Sequence, residues 1–389
     1  MSGFPPITGN QTHLGNWREP GHSRWSFRHV RELVPSAGIR PSQSPLPLAV
    51  EGRDVGNIRF AGPDGKTRSI REFFTESASD GMIVLKRGRI AAEWYAAGCK
   101  ADEPHLIFSI SKSVTALIAA MLEEQGLLDP EAPVVEYVPE VKGSAYERAR
   151  VRHVLDMTVG IEFEESYLKP DSPFARYREA MGWNLAAVPG RMLDLRSFLT
   201  SLPPDGKAHG EVFHYVSPNS DLLGFIVERA GGRRFHGMME EWLWQPMGAE
   251  HEAYITVDRL GAPRTAGGIC VSLRDLARLG EVMRGHGAAN GRQVVPGRFI
   301  DELYSKGERG PWLKGDLLML APDGHYRNQW YVTGPGGAMM GVGIHGQWLY
   351  ADPKSEITIA KLSCQDLPVD DPMDQLCLAA FKAITAALA

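Results

Sequence analysis

The chain has 389 residues, 43% of them apolar and 23% charged, enough apolar mass for one large domain or two ordinary ones. Its 42 basic and 47 acidic residues leave a formal net charge of -5 with no run of five like charges, which argues against a nucleic-acid binder. The four cysteines, Cys99, Cys270, Cys364 and Cys377, form no C-x-x-C pair, so a zinc ribbon or a thioredoxin-type site is unsupported and reduced thiols are expected.

Residues 1–50 are rich in Pro, Gly, Ser and Arg, yet carry Trp17, Trp25 and Phe27, which predicts an irregular arm pinned to the main body. The N-terminus has no basic segment followed by an apolar one, and no stretch reaches the ~20 apolar residues of a membrane span. The expectation is a soluble cytoplasmic protein. The alternation over 82–96, broken by Arg87-Gly88, predicts a β-hairpin. Over 113–127 the period turns helical: Val114, Leu117, Ile118, Met121 and Leu122 share one face, and Gly126 is a stop. Helical patches follow to about 260, for example 197–202 and 221–230. Strand patterns return at 346–350 and 357–362, and a last helix is predicted over 373–388. Strands, then helices, then strands and a helix predict an α/β body split by a mainly helical insertion. The boundaries read as 1–130 plus 262–389 for the body and 131–261 for the insertion.

The chemistry concentrates in Phe108-Ser109-Ile110-Ser111-Lys112-Ser113. On a helix, residues three apart share a face, so the Ser109 hydroxyl and the Lys112 amine can meet. A serine attacks only when a base takes its proton, and a lysine serves as that base only when burial keeps it neutral. The bare Ser-x-x-Lys pattern is weak: a second copy, Ser166 to Lys169, sits among Glu162, Glu164 and Glu165 and runs into Pro170, and it reads as a chance match. The competing reading of Ser109 is a helix-capping serine beside a solvated lysine. Downstream, Tyr215-Val216-Ser217 supplies a tyrosine that could pass a proton to a leaving group, although taken alone it reads better as a core tyrosine with its hydroxyl bonded to backbone. Gly341 and Gly343 precede Ile344-His345-Gly346-Gln347, and glycines in a strand mark close backbone approach.

Taken in this order, the three elements resemble the penicillin-recognising serine hydrolases: class C β-lactamases, D-alanyl-D-alanine peptidases and related esterases. The segments Val151-Arg-His-Val-Leu-Asp-Met-Thr-Val-Gly-Ile161 and Ala266-Gly-Gly-Ile-Cys-Val-Ser-Leu-Arg-Asp-Leu276 extend the likeness. Within that group the chain is most similar to the 6-aminohexanoate-dimer hydrolases, through Ser23-Arg-Trp-Ser-Phe27, Glu136-Tyr-Val-Pro-Glu140, Val154-Leu-Asp-Met157, Asn328-Gln-Trp330 and Gly343-Ile-His-Gly-Gln347. The resemblance implies an αβα sandwich around an antiparallel sheet with an inserted helical domain and the site between them. It implies Ser109 as nucleophile, Lys112 as base, Tyr215 as proton donor, and the N–H groups of Ser109 and Ile344 as oxyanion hole. It further implies Tyr167 over the substrate, Trp183 lining the pocket, His345 supporting the strand, a small amide or ester substrate, and a homodimer. No metal or cofactor is expected, because His251-Glu252 is not followed by a histidine at zinc-helix spacing and there is no phosphate-binding glycine loop.

Two positions depart from the amide-active pattern: Arg178 stands in place of an aspartate, and Ala266 in place of an asparagine. An arginine there repels a cationic substrate end, which predicts weak action on the nylon dimer and better action on neutral or anionic esters and amides. Two alternatives stay open: a β-lactamase or cell-wall peptidase, and a sensor that is acylated once and stalls. Steady turnover of an ester separates the last from an enzyme.

Overall fold

The structure, a computed structural model, describes residues 6–188, 190 and 192–389. The first five residues of the N-terminal arm lie outside it. The hairpin predicted from 82–96 forms as β1 (Ser79–Lys86) and β2 (Arg89–Tyr95), closed by the Lys86–Arg89 pair. It joins five C-terminal strands: β3 (His325–Arg327), β4 (Trp330–Val332), β5 (Met339–Gly343), β6 (Gln347–Asp352) and β7 (Ile357–Ser363). The sheet runs β3-β4-β5-β6-β7-β1-β2 with every neighbouring pair antiparallel, so strands from both ends of the chain make one sheet.

Both faces of this sheet are covered, and the two-residue period decides which side chain goes where. Ile83, Leu85, Leu349, Ala351, Ala360 and Leu362 enter one core, shared with Leu276 and Leu279. Their neighbours Met82, Val84, Trp348, Tyr350, Ile357 and Ile359 enter a second core, with Leu376, Phe381 and Ile384 of the last helix, which spans Asp371–Leu388. The strands are buried on both sides because a helix lies on each, which is the predicted α/β sandwich. A second, smaller sheet runs in the order 36–39, 253–256, 269–271, 105–106. Its first strand, Ser36–Ile39, ties the N-terminal arm to the body. Trp17 and Phe27 are fully buried, as an anchoring role requires, while Trp25 stays at the rim and stacks on His29.

The helix that carries the Ser-x-x-Lys pattern is α1 (Ile110–Glu124), three residues longer at its start than the apolar period indicated. Ser111 and Ser113 are buried there because they have partners: Ser111 Oγ accepts from the Ile269 N–H at 3.1 Å, and Ser113 Oγ donates to the Gln329 carbonyl at 2.8 Å. The helix α2 (Ser217–Gly231) packs against α1 and ends at Gly232, whose φ of 61° is the left-handed turn that stops a helix. All four cysteines are free; Cys270, Cys364 and Cys377 are buried, while Cys99 is half-buried. No helix among the described residues is long and apolar enough to cross a membrane.

Candidate active site

Ser109 occupies the N-cap of α1 but makes no capping bond, so its hydroxyl is free for other use. The preceding Phe108 has φ of 43°, a left-handed conformation that a bulky residue adopts only when its surroundings force it. The ring is held by Phe27, with centroids 4.9 Å apart, and by Trp183 at 6.1 Å. This turn brings Ser109 to the start of the helix. β5 fits against it because two of its residues lack a side chain. A Cβ on Gly343 would sit 2.6 Å from the Ile107 carbonyl oxygen, and one on Gly341 3.2 Å from Ile110. The close approach expected of these glycines is therefore to the α1 start itself. Neither the Ser109 nor the Ile344 N–H has an acceptor among the described residues, and both residues line the cavities at the site.

Lys112 is only 1% exposed, which excludes the solvated lysine of the competing reading. Its Nζ lies 2.8 Å from Ser109 Oγ, 3.0 Å from Ser217 Oγ and 2.7 Å from the Ala266 carbonyl. Burial drives its pKa down to about 7; Glu165 raises it, Arg264 lowers it, and Asp221 raises it. A neutral amine has two N–H donors and one lone pair. The Ala266 carbonyl can only accept. Ser217 Oγ gives its own proton to Glu165 Oε1 at 2.6 Å, so it too must accept from Lys112. Both N–H groups are thereby committed, and the lone pair is left for the Ser109 hydroxyl proton.

Tyr215 faces the same serine, with its ring centroid 5.1 Å from Lys112 Nζ. Burial first, then the Glu165 carboxylate, push its pKa above the ordinary tyrosine range, while its contact with Ser109 pulls the other way. It is protonated at neutral pH and suited to give a proton rather than take one. Tyr167 donates to Glu165 Oε1 at 2.6 Å. Glu165 thus gathers Ser217 and Tyr167 at the cavities that Ser109 lines. Sequence reasoning passed over Glu165 as one of several acids and left Ser217 as a motif neighbour of Tyr215.

The remaining predicted residues also converge. Ala266 is buried; its N–H donates to Asp221 Oδ1 at 2.7 Å, and Asp221 is ion-paired with Arg264. That pair fixes the carbonyl that holds Lys112. Trp183 lines the cavity and is braced by Thr256 at 3.2 Å and by Trp17, with centroids 5.3 Å apart. His345 adopts φ of 59°, donates through Nδ1 to the Gln365 carbonyl at 2.7 Å, and has its pKa lowered to about 4, chiefly by burial. It is a neutral brace. Arg178 lines the same cavity as Ser109, with its guanidinium 5.2 Å from the Phe174 ring centroid. Ser166 and Lys169 do not form a second site: Lys169 is exposed and pairs with Glu164 at 2.6 Å.

Two cavities meet at Ser109. One, of about 460 Å³, is lined by Trp17, Arg18, Arg178, Trp183 and Ala266. The other, of about 370 Å³, is lined by Tyr215, Leu317, Leu320, Tyr331 and Val342. Ser109, Glu165, Tyr167 and Ile344 belong to both.

The beta-lactamase family pattern matches residues 68–379. The 6-aminohexanoate-dimer hydrolase of Paenarthrobacter ureafaciens is 34% identical over 361 residues, covering 92% of this chain and 90% of its own. A Bacillus anthracis chain described as a candidate 6-aminohexanoate-dimer hydrolase superposes with a TM-score of 0.88 at 23% identity, covering 98% of each chain. A family VIII carboxylesterase superposes at 0.60 and 15% identity, covering 81% of this chain and 96% of its own.

Proposed function

The chain belongs to the beta-lactamase family of serine hydrolases, and from that premise we propose that it cleaves a small ester or amide through an acyl-enzyme on Ser109. The observation that carries this reading is Lys112: buried, with a pKa of about 7, and with both N–H groups committed so that its lone pair meets the Ser109 proton. Lys112 takes that proton as Oγ bonds to the substrate carbonyl carbon. The negative charge that develops on the carbonyl oxygen is met by the N–H groups of Ser109 and Ile344. Tyr215 gives its proton to the departing nitrogen or oxygen and is reprotonated from Lys112. Lys112, neutral again, takes a proton from the water that attacks the acyl carbon and returns it to Ser109 Oγ as the acyl–oxygen bond breaks, which frees the acid and restores the serine.

Tyr215 lines only the smaller cavity, so the leaving group departs there and the acyl group occupies the larger one. Arg178 lines the acyl cavity and disfavours a cationic acyl end, so the 6-aminohexanoate dimer is a poor substrate in this proposal. The same proposal includes a cytoplasmic location and a homodimer; light scattering of the purified chain tests the latter. The decisive experiment is intact-protein mass spectrometry during hydrolysis of a p-nitrophenyl ester. Wild type should carry an acyl adduct while product continues to form, and Ser109→Ala should do neither. An adduct without turnover would favour the sensor, and equal turnover by the variant would sink the mechanism.

A further inference from the structure

Among the described residues the acyl cavity is lined by three arginines, and one of the three is in an ion pair. Arg264 is ion-paired with Asp221. Arg178 has no carboxylate within ion-pair distance among the described residues, and its buried Nε has no hydrogen-bond partner. Arg18 is likewise without an ion pair. It is held in place by neutral acceptors, the Trp183 carbonyl at 3.1 Å and Asn184 Oδ1 at 2.5 Å, with its guanidinium 4.8 Å from the Trp17 ring centroid. The two charges feel each other: burial and then Arg178 bring the Arg18 pKa down to about 9, against a smaller opposing pull from Glu19. Three carboxylates line the cavity. Glu165 is occupied by Ser217 and Tyr167, and Glu19 and Asp366 are exposed.

Two like charges held in a partly buried cavity without a counter-ion carry a desolvation and repulsion cost that an incoming anion relieves. A guanidinium fork matches a carboxylate, and Phe174 and Trp17 hold these two forks by their faces. We propose that Arg178 and Arg18 form a carboxylate-binding subsite, so that the acyl donor is a half-ester or half-amide of a short dicarboxylic acid with its free carboxylate remote from the scissile bond. This rests on the acyl-enzyme reading and on the assignment of the larger cavity to the acyl group. It goes beyond the exclusion of cations, because it names the group that the two arginines hold.

The test uses three p-nitrophenyl esters of equal length that differ only at the far end: the adipate half-ester (carboxylate), the adipamate (carboxamide) and the 6-aminohexanoate (ammonium). Wild-type kcat/KM should rank carboxylate over carboxamide by at least tenfold, with the ammonium ester last. Arg178→Met should lower the carboxylate-to-carboxamide ratio at least tenfold, Arg18→Met should lower it less, and Arg178→Asp should move the ammonium ester ahead of the carboxylate. The wild-type ranking needs no variant, so misfolding of a mutant leaves the proposal open to refutation. A wild-type carboxamide rate equal to or above the carboxylate rate, with all three activities abolished by Ser109→Ala, would overturn the subsite and leave the hydrolase intact. Activity that survives Ser109→Ala would overturn the acyl-enzyme reading and the subsite with it.

Discussion

Glu165 offers a sharp test of which group titrates in catalysis. It shares Ser217 Oγ with Lys112, at 2.6 Å from its own Oε1 and 3.0 Å from Lys112 Nζ. Carboxylate and amine are therefore within about 6 Å, where one unit charge acting through an effective dielectric of 20 to 80 is worth roughly 1 to 3 kcal/mol. The interaction favours the ammonium form and raises the Lys112 pKa. Glu165→Gln removes the charge but keeps a carbonyl oxygen to accept from Ser217. The Lys112 pKa should fall below about 7, and by the same Coulomb figure the acidic limb of kcat/KM should move roughly half to two pH units lower. The sign follows from the role: a base works when neutral, so activity rises with pH through its pKa, and a lower pKa starts the rise earlier. The assay is kcat/KM for a p-nitrophenyl ester from pH 5 to 9, read as the midpoint and not the plateau, since lost hydrogen bonds also lower the plateau. An unmoved midpoint, or one that moves up, would mean that the limb does not report Lys112.

Three further outcomes follow from the same geometry. Lys112→Met should abolish acylation yet stabilise the fold at pH 7, by at most the roughly 5 kcal/mol that the lysine's pKa shift is worth. An unfolded lysine holds its proton up to about pH 10.5 while the folded one loses it above about 7, so wild-type stability climbs across that window. Urea unfolding should find the gap large at pH 7 and closing by pH 10; a gap that widens would reverse the burial argument. Tyr215→Phe should cut turnover of an anilide by about 10²–10⁴-fold but that of a p-nitrophenyl ester far less, because nitrophenolate leaves without a proton. Equal losses on both would remove Tyr215 as the proton donor. Gly343→Ala puts a Cβ 2.6 Å from the Ile107 carbonyl and should displace the Ile344 N–H, lowering kcat at least tenfold in a protein whose circular dichroism is unchanged.

What the sequence made legible was what is local or periodic. The hairpin 82–96, the face Val114 to Leu122 and the spacing of Ser109 and Lys112 are all short-range patterns, and each forms. The apolar period begins only at 113, three residues inside α1, because Ser111 carries no apolar signal and is buried only through its partner Ile269 from far along the chain. The strand Ser36–Ile39 went unseen because its partner is Ala253–Thr256. Glu165 is the instructive omission. Glu162 and Glu164 are exposed neighbours of the same charge, and nothing in that irregular stretch marks the one acid that meets Ser217. A Tyr-x-Ser element asks for an acceptor for its serine, and that question could have pointed to an acid, though not to which one. Arg18 was read only as part of an arm, since its partners Trp183 and Asn184 lie some 165 residues away.

The placement of charge divides the site into two kinds of group. Around Ser109 the polar atoms answer one another: Lys112 to Ser217 and Ala266, Ser217 and Tyr167 to Glu165, Ala266 to Asp221, and Asp221 to Arg264. Such a closed network holds its geometry and its pKa values without help from the substrate. Arg178 and Arg18 stand outside it, on the wall of the cavity proposed for the acyl group, and neither has an ion-pair partner among the described residues. Substitution at Arg178 can therefore change which acyl end is accepted while Ser109 and Lys112 keep their contacts, since no hydrogen bond of the catalytic network passes through it. On the proposed mechanism, chemistry and selectivity are set by different residues, and the charge-ranking of esters and the pH profile should respond to different mutations.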